Sequence, residues 1–400
     1  MNQAFSPRRR SLIAGAIGAS ALIALPGIGQ TANPIRIGIS AEFGMQGSHA
    51  AQSIEKGILL AIDEINAGGG ILGRNLVLEK RDDRGVPARG MDNFTELAAY
   101  PDLVAVFCGR YSPVAIEQAP LANRLGLLLL DPWAAADGIV RQPAPNYVFR
   151  LSATDTWAME TLLGDARRRK LDRLALLLPN TAWGRSSEAA AQAHARSRSG
   201  LHLTSYWYNW GDTDFAHRLL QIRAEGAKAL IMVANEAEGA LIVKHMAAMP
   251  PAQRLPIISH WGIAGGDFAA ATGEDLKAVD LVVVQTFSFS GKRSARADAV
   301  AAAVKRRFGH DVASLRAQVG FAHAYDLTHL LAASIRKAGS TQRGAVRDAL
   351  ERLDAHDGLV RNYRKPFSAT DHEALDREQL FLARFDANGN LSPASRDGGR

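Results

Sequence analysis

Gly57-Ile-Leu-Leu-Ala-Ile-Asp-Glu-Ile-Asn-Ala-Gly-Gly-Gly-Ile-Leu-Gly-Arg74 decides the fold class. Ile58, Ala61, Ile62 and Ile65 recur at helical spacing, and Asp63 and Glu64 fall on the opposite face. Asn66 and Gly68 tolerate a left-handed backbone and are expected to cap this helix. Ile35-Arg-Ile-Gly-Ile39 before it and Leu76-Val-Leu-Glu-Lys80 after it read as strands, the second running into Asp82-Asp83. The stretch is therefore the centre of a strand–helix–strand unit, with a glycine-rich turn leading into the second strand.

The same alternation continues outward. Strands are expected at 76–80, 104–107 and 127–130, with helices at 50–66, 87–99 and 113–124. Leu127-Leu-Leu-Leu130 and Val104-Ala-Val106 are apolar throughout, as strands covered on both faces should be. Tyr147-Val-Phe-Arg-Leu151 reads as a crossing, flanked by Arg150 and Asp155. A second series follows, with strands at 173–178, 201–206, 229–233 and 256–259 and helices at 155–169, 185–198, 214–225 and 236–246. Leu281-Val-Val-Val284 predicts another buried strand and a second crossing. Helices at 295–308, 316–338 and 342–353 come next, then a third crossing at Gly358-Leu-Val-Arg361 and a last strand at 380–385. The fold class is α/β, with mostly parallel sheets flanked by helices.

The chain has 400 residues, 47% hydrophobic and 22% charged, an ordinary globular balance with enough core for two domains. Arg8, Arg9 and Arg10 supply three of the 47 basic residues, and the rest of the chain is near balance against 40 acidic ones. The remaining Arg and Lys are scattered, which argues against a nucleic-acid face. Arg8-Arg-Arg10, the apolar run through Leu25 and the small residues of Gln30-Thr-Ala32 form an export signal over 1–32. Arg9-Arg10-x-Leu-Ile fits the twin-arginine pattern; a general secretory signal is the alternative. The run is too short and too rich in Gly and Ala to span a bilayer well. Cys108 is alone, so no internal disulfide can form, and at the end of an apolar strand it reads as a small buried hydrophobe.

Templates for catalysis are missing. There is no G-x-S-x-G, H-E-x-x-H, C-x-x-C or G-x-x-x-x-G-K-[ST]. Gly68-x-Gly70-x-x-Gly73 follows a helix and precedes a strand, the reverse of a dinucleotide fingerprint. His323 and His329 are six apart on one expected helix and do not point together. No enzyme activity, cofactor or metal site is expected. Instead, three of the six Trp follow strand ends: Trp133 in Asp131-Pro-Trp-Ala-Ala135, Trp183 in Pro179-Asn-Thr-Ala-Trp-Gly184 and Trp261 in Ser259-His-Trp-Gly262. Carboxyl ends of parallel strands are where such sheets bind ligands.

The pattern G-x-x-L-A-x-x-x-I-N-x-x-G-G-I-x-G-R, followed by a strand ending in D-D, resembles the leucine/isoleucine/valine-binding protein family, the type I periplasmic binding proteins of ABC importers. The resemblance implies two lobes, 33–151 with 283–360 and 152–282 with 361–391, and a tail at 392–400. It implies a periplasmic, monomeric protein that captures a small molecule by lobe closure and docks on an ABC permease. A ligand sensor feeding a receptor is the alternative, and an α/β enzyme a more distant one.

Position by position, Ser112 in Cys108-Gly-Arg-Tyr-Ser112 resembles the residue that holds a ligand carboxylate, with Tyr111 beside it. Asp131–Ala135 resembles the T-P-A-A-T turn, with Trp133 and Ala135 replacing its Ala and Thr around Ala134. Trp183 matches a Tyr that closes over the ligand. Trp261, next to His260, falls where an acidic residue usually meets the ligand ammonium; Glu236 or Glu238 could substitute. A disulfide found near Cys108 in some members has no partner here. The expected ligand-binding set is Tyr111, Ser112, Trp133, Ala134, Ala135, Trp183, His260, Trp261 and Gln285. Phe43, Gln46, Ser48, His49, Phe287, Tyr325 and Asp326 are weaker candidates, and Asp82 and Asp83 read as loop carboxylates. An aromatic cage without a free carboxylate suits an aromatic or cationic solute better than an aliphatic amino acid.

Overall fold

The computed structural model describes residues 33–197 and 200–394, so the expected export signal lies outside the described residues. The first sheet holds β1 (Ile35–Ala41), β2 (Leu76–Asp82), β3 (Leu103–Cys108), β4 (Leu128–Asp131) and β5 (Val148–Arg150). Its order is β2-β1-β3-β4-β5 and every pairing is parallel. Helices α1 (Ala50–Ala67), α2 (Pro87–Ala98) and α3 (Ser112–Leu125) connect its strands.

The second sheet begins after α4 (Asp155–Arg168). It contains β6 (Arg173–Pro179), β7 (His202–Tyr208), β8 (Ala229–Met232), β9 (Ile257–Ser259) and β10 (Leu281–Gln285), linked by α5 (Ala182–Ser197), α6 (Ala216–Ala224), α7 (Glu236–Ala248) and the short α8 (Phe268–Thr272). After α9 (Ala295–Phe308), α10 (Gln318–Ala338) and α11 (Arg343–Leu350), β11 (His356–Asp357) and β12 (Asn362–Tyr363) form a small hairpin. Finally β13 (Phe381–Phe385) and β14 (Leu391–Pro393) add an antiparallel edge beside β10. The second order is β14-β13-β10-β9-β8-β6-β7.

The founding unit forms as expected, with one difference. Ile54, Ile58, Ala61, Ile62 and Ile65 are buried on α1, which packs along α10. Gly57 permits this approach, because a Cβ there would lie 2.2 Å from the Phe321 carbonyl oxygen. Gly68 keeps a right-handed backbone; the left-handed residues are Gly69, Gly70, Leu72 and Gly73. Asn66 instead acts through its amide, which donates to Leu76 O at 2.9 Å and accepts from Leu76 N at 2.8 Å. That pair sets the entry into β2.

Three sequence expectations change. The boundary at residue 283 falls inside β10, which pairs with β9 and β13 on its two sides. Gly358–Arg361 is a hairpin turn; Asp326 of α10 accepts from Leu359 N, Val360 N and the Tyr363 hydroxyl. A tail from residue 392 is also too early, since Leu391–Pro393 is paired strand, and 395–400 lie outside the described residues. Two short strands without strong alternation carry no signal apart from the strand that receives them. Cys108 is fully buried and unpaired. Among the described residues no helix is long and apolar enough to cross a membrane.

Candidate functional site

Both sheets have a point where the strand order reverses, between β1 and β3 in the first and between β6 and β8 in the second. A crevice opens beyond the carboxyl ends of parallel strands at such points. Here a narrow cavity is lined by Arg110, Tyr111, Ser112, Pro113, Trp133, Ala135, Trp183, Trp210, Asn235, Trp261 and Gly262. Residues 110–113 follow β3 and Trp133 and Ala135 follow β4. Trp183 opens α5, Trp210 follows β7, Asn235 precedes α7, and Trp261 follows β9.

The aromatic wall is tightly braced. Trp133 and Trp261 lie 5.9 Å apart between ring centroids, and Tyr111 meets Trp210 edge-on at 5.1 Å. Trp183 stands perpendicular to His260 at 5.1 Å. Its indole N–H donates to Asp155 Oδ1 at 3.2 Å, and the Ser187 hydroxyl donates to the same oxygen at 3.0 Å. His260 Nδ1 accepts from Trp261 N at 2.9 Å, which places its proton on Nε2, 3.1 Å from Asp155 Oδ1. Gly262 allows Trp183 to close against the β9 end: a Cβ there would sit 2.4 Å from Ala234 O and 2.6 Å from the Trp183 ring. Trp133 is seated by Asp131, whose Oδ1 accepts from Trp133 N and Ala134 N at 2.9 and 2.7 Å. Burial pushes the Asp131 carboxyl up to about 7, against the pull of Arg150.

The polar groups form a distinct set. Arg110, with its side chain almost fully buried, donates from both terminal nitrogens to Glu236 at 2.6 and 2.7 Å, and from Nη2 to the Tyr111 hydroxyl at 3.2 Å. Such a two-pronged pair fixes geometry as well as charge. Glu42 follows β1 and is also buried, with Oε1 3.6 Å from Arg110 Nε. Ser112 Oγ accepts from Ala136 N at 3.2 Å, which leaves its hydroxyl proton free to donate. The Trp210 indole N–H is buried without a partner. Burial pushes the Tyr111 phenol up to about 12, which keeps it neutral and able to donate.

Of the nine expected residues, the structure brings Tyr111, Ser112, Trp133, Ala135, Trp183 and Trp261 around this cavity. Three are elsewhere. Ala134 is core, its carbonyl accepting from Arg150 at 3.2 Å. His260 lies behind the two Trp rings and supports them. Gln285 donates to Val284 O and lines a separate space with Phe287, between α10 and the β13–β14 turn.

Among the weaker candidates, His49 bonds Asp267 at 2.8 Å, Ser48 bridges Gly266, and Phe43 lies under Lys80. Tyr325 donates to Glu64. Asp83 accepts from Ser40 and Gly85, and Asp82 from Gly44 and Arg84. Glu236 is committed to Arg110, and Glu238 accepts from Gly211 N.

Sequence reasoning missed Glu42, Arg110, Trp210, Asn235 and Gly262. Trp210 was findable by the rule used for the other Trp. The strand before it was expected to end at 206, but it runs to Tyr208, which puts Trp210 two residues past its carboxyl end. Glu42 similarly follows an apolar strand.

Two α/β sheets whose carboxyl edges enclose one aromatic cavity define a two-lobed ligand-binding protein. Residues 34–390 match the periplasmic binding protein family, and the chain belongs to it. BraC3, a Leu/Ile/Val-binding protein of Rhizobium johnstonii, is 25% identical over 290 residues, 72% of this chain and 75% of its own. A type 1 periplasmic binding protein of Bordetella pertussis superposes with a TM-score of 0.80 at 20% identity, covering 90% of this chain and 100% of the other. An ABC-transporter solute-binding protein of R. palustris in complex with 4-hydroxybenzoate does so with a TM-score of 0.76 at 17% identity, covering 90% and 95%. The family and the two-lobed α/β fold read from the sequence are thereby borne out.

Proposed function

We propose that this chain is the exported, periplasmic solute-binding component of an ABC importer and that its lobes close over a single-ring aromatic carboxylate. The lobes are the first sheet with α1–α3 and α9–α11, and the second sheet with α4–α8. The closed form delivers the solute to a membrane permease, and no reaction is performed. Family membership supports the transport role.

One observation carries the solute class. The cavity wall includes four Trp and one Tyr, and Glu236 is bonded through both oxygens to the lining Arg110. No carboxylate is among the lining residues, so an amino-acid ammonium in this space would lie unpaired, and an unpaired buried charge is costly. Donors at the wall include the Tyr111 hydroxyl, the Ser112 hydroxyl at the positive end of α3 and the Trp210 N–H, all suited to carboxylate or phenol oxygens. The R. palustris protein of the same fold was solved with 4-hydroxybenzoate, which is consistent with this class.

The test is a thermal-shift panel of 4-hydroxybenzoate, 3,4-dihydroxybenzoate, leucine, isoleucine, valine and choline. A solute at a hundredfold excess over its Kd stabilises the native state by ~2.7 kcal/mol. The benzoates are expected to raise the Tm. A shift with the aliphatic amino acids alone refutes the reading, and a shift with choline alone replaces it by a cation–π cage.

A further inference from the structure

Glu42 is a buried acid that the solute site does not use. It is 1% exposed, and neither carboxylate oxygen is in hydrogen-bonding geometry with any group. Arg110 Nε, 3.6 Å away, is likewise unbonded. The surroundings are shaped for this cluster. A Cβ on Gly109 would lie 2.3 Å from Glu42 Oε2, and one on Gly265 would lie 1.9 Å from Arg110 Nη1.

The three charged groups divide unequally between the lobes. Glu42 and Arg110 follow β1 and β3 of the first sheet, and Glu236 opens α7 on the second. Separation of the lobes carries Glu236 away and leaves Arg110 beside Glu42. With the lobes apposed, as here, the guanidinium gives its hydrogen bonds to Glu236, and Glu42 keeps only a 3.6 Å ion-pair contact with Arg110 Nε. We propose that lobe closure hands Arg110 from Glu42 to Glu236 and takes up one proton on Glu42. This rests on the lobe-closure reading above, though not on the identity of the solute.

The electrostatics agree in sign. Burial drives the Glu42 carboxyl from 4.5 up to about 7; the Arg110 charge offsets part of this, and the Asp83 charge adds to it. The groups facing Glu42 are Arg110 and Tyr111 after β3 and Asp83 after β2, with Glu236 beyond Arg110. In the separated form, pairing with Arg110 and access to water hold Glu42 at its ordinary value or below. The closed form therefore binds the extra proton. Closure is favoured at low pH, weakens up to tenfold per unit between the two values, and is flat above about 7. From pH 5.5 to 7.5 the closure equilibrium falls roughly 20-fold.

The experiment is small-angle scattering of the ligand-free full chain at pH 5.5 and 7.5, with Glu42→Gln and Glu236→Gln beside the wild type. The wild-type radius of gyration should rise with pH. Glu42→Gln, which mimics the protonated acid, should stay compact at both values. Glu236→Gln, which removes the cross-lobe partner, should stay expanded at both. A wild type insensitive to pH, or a Glu42→Gln protein that keeps the wild-type response, overturns the proposal. Calorimetry with 4-hydroxybenzoate separates the two readings. Absence of binding refutes the solute class and leaves the scattering result standing, whereas binding with no pH response in scattering refutes only the proton coupling.

Discussion

Replacing Trp183 by Ala tests the site most directly, because the ring has two duties. Its face forms one wall of the cavity, and its N–H is one of the groups gathered on Asp155 Oδ1. One face of an indole covers roughly 60 Å² of a stacked ring, worth ~1.5 kcal/mol at ~25 cal/mol per Å². Aromatic pairing adds ~1 kcal/mol. Loss of both weakens 4-hydroxybenzoate binding by ~2.5 kcal/mol, about 70-fold in Kd. The same change removes a side chain that is only 6% exposed, so fold stability falls by ~3–5 kcal/mol.

Trp183→Phe separates the duties. It keeps an aromatic face and loses only the hydrogen bond to a buried carboxylate, ~1.5–3 kcal/mol of stability, with a Kd within about fivefold of wild type. Trp207→Ala is the control. That ring lies on β7 with the Arg185 guanidinium 3.8 Å above it and does not line the cavity. Isothermal calorimetry gives the Kd and urea unfolding the stability. A Trp183→Ala protein that binds within about threefold of wild type while unfolding more easily would show that the ring supports the fold and not the solute.

Two other substitutions probe the packing around the cavity. Gly262→Ala should lower both affinity and Tm, because the new methyl must displace the Ala234 carbonyl or the Trp183 ring; overpacking of this kind costs ~1–3 kcal/mol, and an unchanged Tm would refute the close approach. His323 is fully buried between Pro132 O at 2.8 Å and the Thr286 hydroxyl at 2.9 Å, and burial lowers it from 6.5 to about 4. Protons then bind the unfolded chain first, so its share of stability is lost as pH falls from 6.5 towards 4, ~2 kcal/mol by pH 5. His323→Gln should remove that share of the pH 7 to pH 5 difference in urea unfolding, and an identical difference in both proteins would refute it.

Much of the fold was legible because local periodicity and burial coincide. The spacing of Ile54, Ile58, Ile62 and Ile65 makes a helix wherever it packs, and Leu128–Leu130 and Val104–Val106 are apolar on both faces because helices cover both. Strand ends were legible too, and with them Trp133, Trp183 and Trp261. Glu236 was named as a candidate acid, whereas Glu42 and Arg110, each just past a strand, were not.

What the sequence did not contain is their relation. Arg110 and Glu236 are 126 residues apart, and nothing local says that the guanidinium spans to an acid on the other sheet. Nor does it say that both Glu236 oxygens are thereby occupied, or that Glu42 is left without a hydrogen-bond partner. Chain length, α/β class and the aromatic strand ends follow from short-range pattern and hydrophobic burial. The pairing of Arg110 with Glu236, the support of Trp183 by Asp155 and the place of Gln285 outside the cavity were decided by tertiary structure. Charge pairing and desolvation depend on which groups meet in space, and only the assembled sheets bring them together.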